Sequence, residues 1–214
     1  MDIPRHNVFI SYYHYDDQQY KNRLINMKEW NCQSGQFQSI FEKFSVCENE
    51  IDDTGKSDEK IRCIIRDEYI KDATVLILLC GQNTKRRKYV DWEIHAAMYD
   101  SEINPQMGIL VINLPSIELS QGMIANSDRE ENIMGPDINW MPLDKNIESL
   151  KSKHPYLPER IIDNLARDNV MISIVNWNII SNDTNKLKEL IDNAYNRRKI
   201  NKYDHSRPLR RHNS

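Results

Sequence analysis

The chain has 214 residues, enough for one full α/β domain with elaborations. Charged residues make up 29% but nearly cancel, and a formal net charge of -3 argues against a dedicated nucleic-acid binder. With 39% hydrophobic residues and a mean hydropathy of -0.71, the apolar residues must be concentrated in a few strands.

The first element in chain order is residues 7–12 (NVFISY), a β-branched and aromatic run that reads as a buried strand with Phe9 in the core. Asp16 and Asp17 then suit a helix N-terminus, and the helix is predicted to run to about Trp30 with Tyr20, Leu24 and Met27 inward. Residues 41–47 (FEKFSVC) alternate apolar and polar and predict a second strand. Residues 48–56 are polar and acidic and predict a loop. Ser57 follows as a helix N-cap, with Ile61, Ile64, Ile65 and Tyr69 at helical spacing after it.

Residues 73–80 (ATVLILLC) form a nearly continuous apolar run of strand length, the mark of a strand covered on both faces. A basic turn at Lys85–Lys88 leads into a helix ending near Tyr99, and residues 107–114 (MGILVINL) supply another buried strand, closed by Pro115. From 115 to 169, prolines at 115, 136, 142, 155 and 158 break the pattern, leaving short helices only at 146–153 and 157–167. Residues 170–175 (VMISIV) give a last strand, and 185–200 a terminal helix with Leu187, Leu190, Ile191 and Ala194 on one face.

Strands alternating with helices at short intervals predict a central parallel sheet with helices on both faces. The expected organisation is one domain over residues 1–200, with a core at 7–114, an elaboration at 115–169 and a last strand and helix at 170–200. A flexible basic tail is expected at 201–214. No run approaches the roughly 18 apolar residues of a membrane span, and residues 1–5 offer no signal-peptide core, so a cytoplasmic location is expected.

Cys32, Cys47, Cys63 and Cys80 are widely spaced, with no CxxC pair, and read as free thiols or small buried hydrophobes. The six histidines are scattered, so neither a zinc site nor another metal is expected. There is no G-x-G-x-x-G fingerprint. Gly55-Lys56-Ser57 resembles the end of a phosphate loop, but Glu50 stands where that motif needs its first glycine.

The informative segment is Tyr89-Val90-Asp91-Trp92-Glu93-Ile94. Val90, Ile94, Ala97 and Met98 form the core-facing stripe of a helix, while Tyr89 and Glu93 share an adjacent face. The helix starts at the carboxyl edge of the sheet, where open α/β sheets bind ligands. An acid beside an aromatic at that edge can be held desolvated, as catalytic carboxylates often are. The plainer reading is a solvated helix-surface acid paired with Arg86 or Lys88.

The order NVFISY, acids, ATVLILLC, a short polar turn with Asn83-Thr84, and then Tyr-Val-x-x-Glu-Ile resembles a Toll/interleukin receptor (TIR) domain. The likeness covers residues 7–114 well and the remainder to about 200 more loosely. It runs closest to the TIR-like signalling subunit of bacterial Thoeris antiphage systems. Tyr89 takes the place of a tryptophan usual in that family.

The resemblance implies a flavodoxin-like TIR fold and an enzyme that cleaves NAD, its substrate rather than a cofactor, between nicotinamide and ribose. Glu93 would be the catalytic carboxylate, stabilising a ribosyl cation-like transition state. Tyr89 would pack near the ribose or nicotinamide, Ser11 and Tyr12 would line the same cleft, and Tyr13 would stand near the phosphates. Lys56 is a better phosphate contact than Asp52 or Asp53. The product, ADP-ribose, a cyclic isomer or a conjugate, would act as a second messenger on a partner effector. TIR–TIR contacts would assemble the chain into homo-oligomers, and a phage-derived trigger would start them.

Two alternatives remain at this point. One is a non-catalytic TIR scaffold, in which an acid at position 93 is often missing. The other is a flavodoxin-like or nucleoside-processing α/β enzyme, for which Tyr13-His14-Tyr15-Asp16 makes a poor phosphate loop.

Overall fold

Five apolar runs set the architecture of the protein. The structure, a computed structural model, describes residues 6–27, 29–31, 37–39, 41–44, 55–102 and 104–213. In its first half lie β1 (His6–Ser11), α1 (His14–Asn26), β2 (Glu29–Asn31), β3 (Phe37–Ser39) and β4 (Phe41–Phe44). Next come α2 (Asp58–Ile64), extended by a wider helical turn at Ile65–Ile70, and β5 (Val75–Cys80). A 3-10 turn at Thr84–Arg86 leads to α3 (Lys88–Met98), followed by β6 (Gly108–Asn113). The remainder holds α4 (Asp128–Met134), α5 (Ile147–Lys153), α6 (Glu159–Leu165), β7 (Ser173–Asn176), α7 (Trp177–Ile180) and α8 (Thr184–Arg197).

The main sheet has strand order β4-β1-β5-β6-β7 and every pairing in it is parallel; β2 and β3 form a separate antiparallel pair. The chain leaves β1 for one edge, then crosses back to place β5 on the other side of β1. That reversal is the switch point of a doubly wound sheet, and it opens a crevice at the carboxyl ends of β1 and β5. All six residues of β5 are fully buried, as a central strand covered on both faces requires.

Strand alternation divides the core in two. Phe9, Leu76, Leu78, Ile109 and Val111 pack with α2, α3 and α6, while Val8, Ile10, Ile77, Leu110 and Ile112 pack with α1, α7 and α8. Gly108 is needed at the second layer, because a Cβ there would stand 1.9 Å from the Ala194 carbonyl oxygen of α8. This is the α/β, flavodoxin-like TIR architecture with a central parallel sheet that the sequence predicts. Among the described residues no helix is long and apolar enough to cross a membrane.

Several boundaries differ. The first helix ends at Asn26 rather than near Trp30, and Glu29–Asn31 turns into a strand instead. The second sheet strand is present over Phe41–Phe44, while residues 45–47 of its predicted span, and 48–54 of the following loop, lie outside the described residues. The segment 115–169 contains α4, which the proline pattern hid. Its start, Ser127, accepts a hydrogen bond from the Glu130 amide at 3.3 Å.

The predicted flexible tail needs correcting. Residues 201–213 carry almost no secondary structure of their own, yet they bond to α3 and α6. Asn201 and Tyr203 are buried, and the Asn164 side chain both donates to Asp204 O and accepts from Asp204 N. Polar composition alone predicts solvation; side chains that bond to main chain hold this segment down instead.

Candidate active site

The site is built where β1 ends and α3 passes beside it. Position 11 points to the α3 side of the sheet by strand alternation, and one turn into α3 a carboxylate meets it. The Ser11 hydroxyl donates to Glu93 Oε2 at 2.6 Å, and both side chains are buried. The two residues are 82 apart in sequence and straddle the switch point.

Burial pushes the Glu93 carboxyl up to about 8, and the Ser11 hydrogen bond offsets only part of that shift. Its carboxyl is therefore mostly protonated at neutral pH. The surface-acid reading of Glu93 does not hold: only 6% of the residue is exposed, and among the described residues no basic side chain is paired with it. Lys88 instead reaches Asp58 at 3.3 Å. A buried acid without a cation is costly to ionise, and a positive charge brought into the crevice would favour its carboxylate.

The other predicted residues distribute unevenly. Tyr89 lies one helical turn before Glu93, half-buried, its ring edge-on to Trp92 at 5.3 Å and 5.0 Å from the Lys88 ammonium. Tyr12 is not brought to the carboxylate. Alternation sends it to the other layer, where it donates to Gln18 at 2.7 Å and stacks on His14. Tyr13 precedes α1 and carries the Arg87 guanidinium on its ring face, 3.7 Å from the centroid. Lys56 is half-buried just before the Ser57 cap of α2, whereas Asp52 and Asp53 lie outside the described residues.

Three features at this edge escaped the sequence reading. Arg87 is one, its extended backbone just before α3 placing its guanidinium over Tyr13. A second buried acid, Asp17, sits at the neighbouring strand end, where burial and then Asp16 push its carboxyl up to about 6. Gly81 makes room for it: a Cβ at that position would meet both Asp17 carboxyl oxygens at 2.8 Å. The third is the buried pair of Asp91 with Arg160, bonded at 2.9 and 3.1 Å. The sequence places Asp16 and Asp17 together at a helix start, and periodicity does not say which of two adjacent acids turns inward.

Residues 9–118 match the family model described as the Thoeris protein ThsB, TIR-like domain. The match spans just over half of the chain and includes Ser11, Tyr89 and Glu93. The chain belongs to this TIR-like family. Curated proteins yield no match to it.

Proposed function

We propose that this TIR-like protein of a Thoeris antiphage system is an enzyme that cleaves NAD between nicotinamide and ribose. The observation that supports the reading best is Glu93, a buried carboxyl bonded to Ser11 at 2.6 Å, unpaired with any described cation, in the crevice at the switch point.

The chemistry asks little of the protein as an acid. The nicotinamide of NAD is already a cationic leaving group. As the bond from its ring nitrogen to the ribose carbon breaks, the electron pair goes to nicotinamide, which leaves neutral. Positive charge then develops on the ribosyl carbon and ring oxygen. The pyridinium, arriving beside Glu93, favours loss of its proton, and the resulting carboxylate faces the cation with little water to screen it. Ser11 holds the carboxylate in place. Arg87, stacked on Tyr13 at the end of β1, places a guanidinium at the same edge of the crevice.

The acceptor sets the product. Water gives ADP-ribose and one released proton, attack by the adenine ring gives a cyclic isomer, and another nucleophile gives a conjugate. The product would then act as a second messenger on an effector, reached through the small molecule rather than by contact. Assembly through TIR–TIR contacts on infection would switch the enzyme on. Mass spectrometry of nucleotides from infected cells carrying the protein tests this reading. It predicts free nicotinamide together with an ADP-ribose-derived species, and intact NAD during effective defence would contradict it.

A further inference from the structure

We propose that residues 201–213 form a strap that positions the Glu93-bearing helix, with Asp91 and Arg160 as its positioning residues; the catalytic consequence rests on the role of Glu93 given above. The strap is held as a bound peptide would be. Its main chain is bonded by side chains of the body, and four of these side chains are themselves buried: Asp91, Trp92, Arg160 and Asn164.

Arg160, 1% exposed, uses its guanidinium in two directions. Nε and Nη2 grip both carboxylate oxygens of Asp91, while Nη1 and Nη2 donate to the carbonyls of Arg207 and Pro208 at 3.1 and 3.3 Å. Asp91 in turn accepts the Arg210 amide at 2.9 Å. Next to it, Trp92 Nε1 donates to Arg210 O at 2.9 Å. A fork of charge this deeply buried is tolerated only when its donors and acceptors are used, and here the strap uses those left over by the pair.

The N-terminus of α3 depends on the strap as well. Arg87, the residue before the helix, offers no side-chain cap, and the Lys88 amide is taken by Asn213 Oδ1 at 2.8 Å, across 125 positions of sequence. Leu209 packs against the α3 layer of the core and lines a groove with Trp92, His95, Ala96 and Tyr99.

Helix geometry makes this a lever on the site. Two residues apart on a helix is about 200° of rotation, so Asp91 and Glu93 project to nearly opposite sides. A roll of α3 that frees Asp91 therefore carries Glu93 away from Ser11. The sheet side of α3 is fixed by Val90, Ile94, Ala97 and Met98, all buried; the strap restrains the outward side.

The test uses the full chain with Leu209→Ala and Asn213→Ala combined, and separately Arg160→Lys, which keeps a charge on Asp91 but loses the fork. Amide hydrogen exchange is read in α3 and in β5, alongside kcat and KM for NAD cleavage. The expected result is exchange in the first two turns of α3 faster by about tenfold, with β5 unchanged. A kcat reduced about tenfold or more at a KM within about twofold is expected with it, because small displacements of a reacting group cost rate rather than binding.

Faster exchange in the strap with α3 still protected would overturn the proposal, as would a loosened α3 with unchanged kcat. If the double variant loses β5 protection and so fails to fold, Arg160→Lys alone decides by the same criteria. A wild type that cleaves no NAD would count against the role of Glu93, while the exchange in α3 would still decide whether the strap positions the helix.

Discussion

Ser11 and Glu93 meet across the switch point of the sheet, hydroxyl to carboxylate oxygen at 2.6 Å. One comes from the end of the first strand and the other from the helix that follows the central strand, so neither can be moved without shifting a core layer. The contact sits where little water screens a charge, and burial there holds the carboxyl well above its ordinary range although the Ser11 bond pulls it down.

The state of Glu93 makes stability depend on pH in a defined direction. Its carboxyl titrates near 4.5 when unfolded and about 8 when folded, so between these values the folded protein holds a proton that the unfolded chain has lost. Stability from this group is full below about 4.5 and declines as pH rises toward about 8. Glu93→Gln should fold, and the difference in its stability from wild type, followed by urea denaturation from pH 5 to 8, should grow steadily in favour of the variant. Asp17 and Glu130 add slopes of the same sign, but these cancel in the difference.

Cleavage should follow the opposite course. If the carboxylate is the active form, kcat/KM rises with pH through the value near 8 at which the free protein's Glu93 ionises. The bound pyridinium favours the carboxylate, so the corresponding rise in kcat should fall at lower pH. Rate profiles from pH 6 to 9 check both; a kcat/KM that falls across this range would require a protonated Glu93.

Ser11→Ala removes the hydrogen bond that lowers the Glu93 value. The kcat/KM profile should move to higher pH, and activity at neutral pH should fall about ten- to a hundredfold, the range expected for a hydrogen bond to a charged group. Ser11→Thr keeps the hydroxyl and should restore part of the loss. Steady-state kinetics on both variants reads this out.

At the next strand end, Gly81→Ala forces a Cβ onto the buried Asp17 carboxyl and should cost about 1–3 kcal/mol of stability. In an Asp17→Ala background the same change should cost little, because the obstructing atoms are gone. A double-mutant cycle by thermal or urea unfolding gives the coupling directly.

Much of the arrangement was legible from residues alone. NVFISY, ATVLILLC and MGILVINL predicted the three inner strands, because fully buried strands show unbroken apolar runs. The stripe of Val90, Ile94, Ala97 and Met98 oriented α3 and so turned Glu93 toward the crevice. That Glu93 is buried could not be read from spacing, since its nearest polar partner lies 82 positions away. The strap was illegible for a related reason. Nothing in a polar tail reports that Asp91, Arg160 and Asn164 wait on the folded body to bond its main chain. For α4 a signal did exist: Ser127-Asp128-Arg129-Glu130 has capping-box spacing. Glu130, however, turns inward to Ser173 at 2.8 Å rather than closing the box.

The measurement that bears most directly on the central claim is cellular NAD during phage challenge, compared between wild type and Glu93→Gln expressed at equal, folded levels. The account predicts loss of NAD with matching release of nicotinamide in the wild type, and neither in the variant. Equal depletion by both forms would contradict the role of Glu93. Protection against phage by the wild type with NAD intact would contradict the enzyme itself.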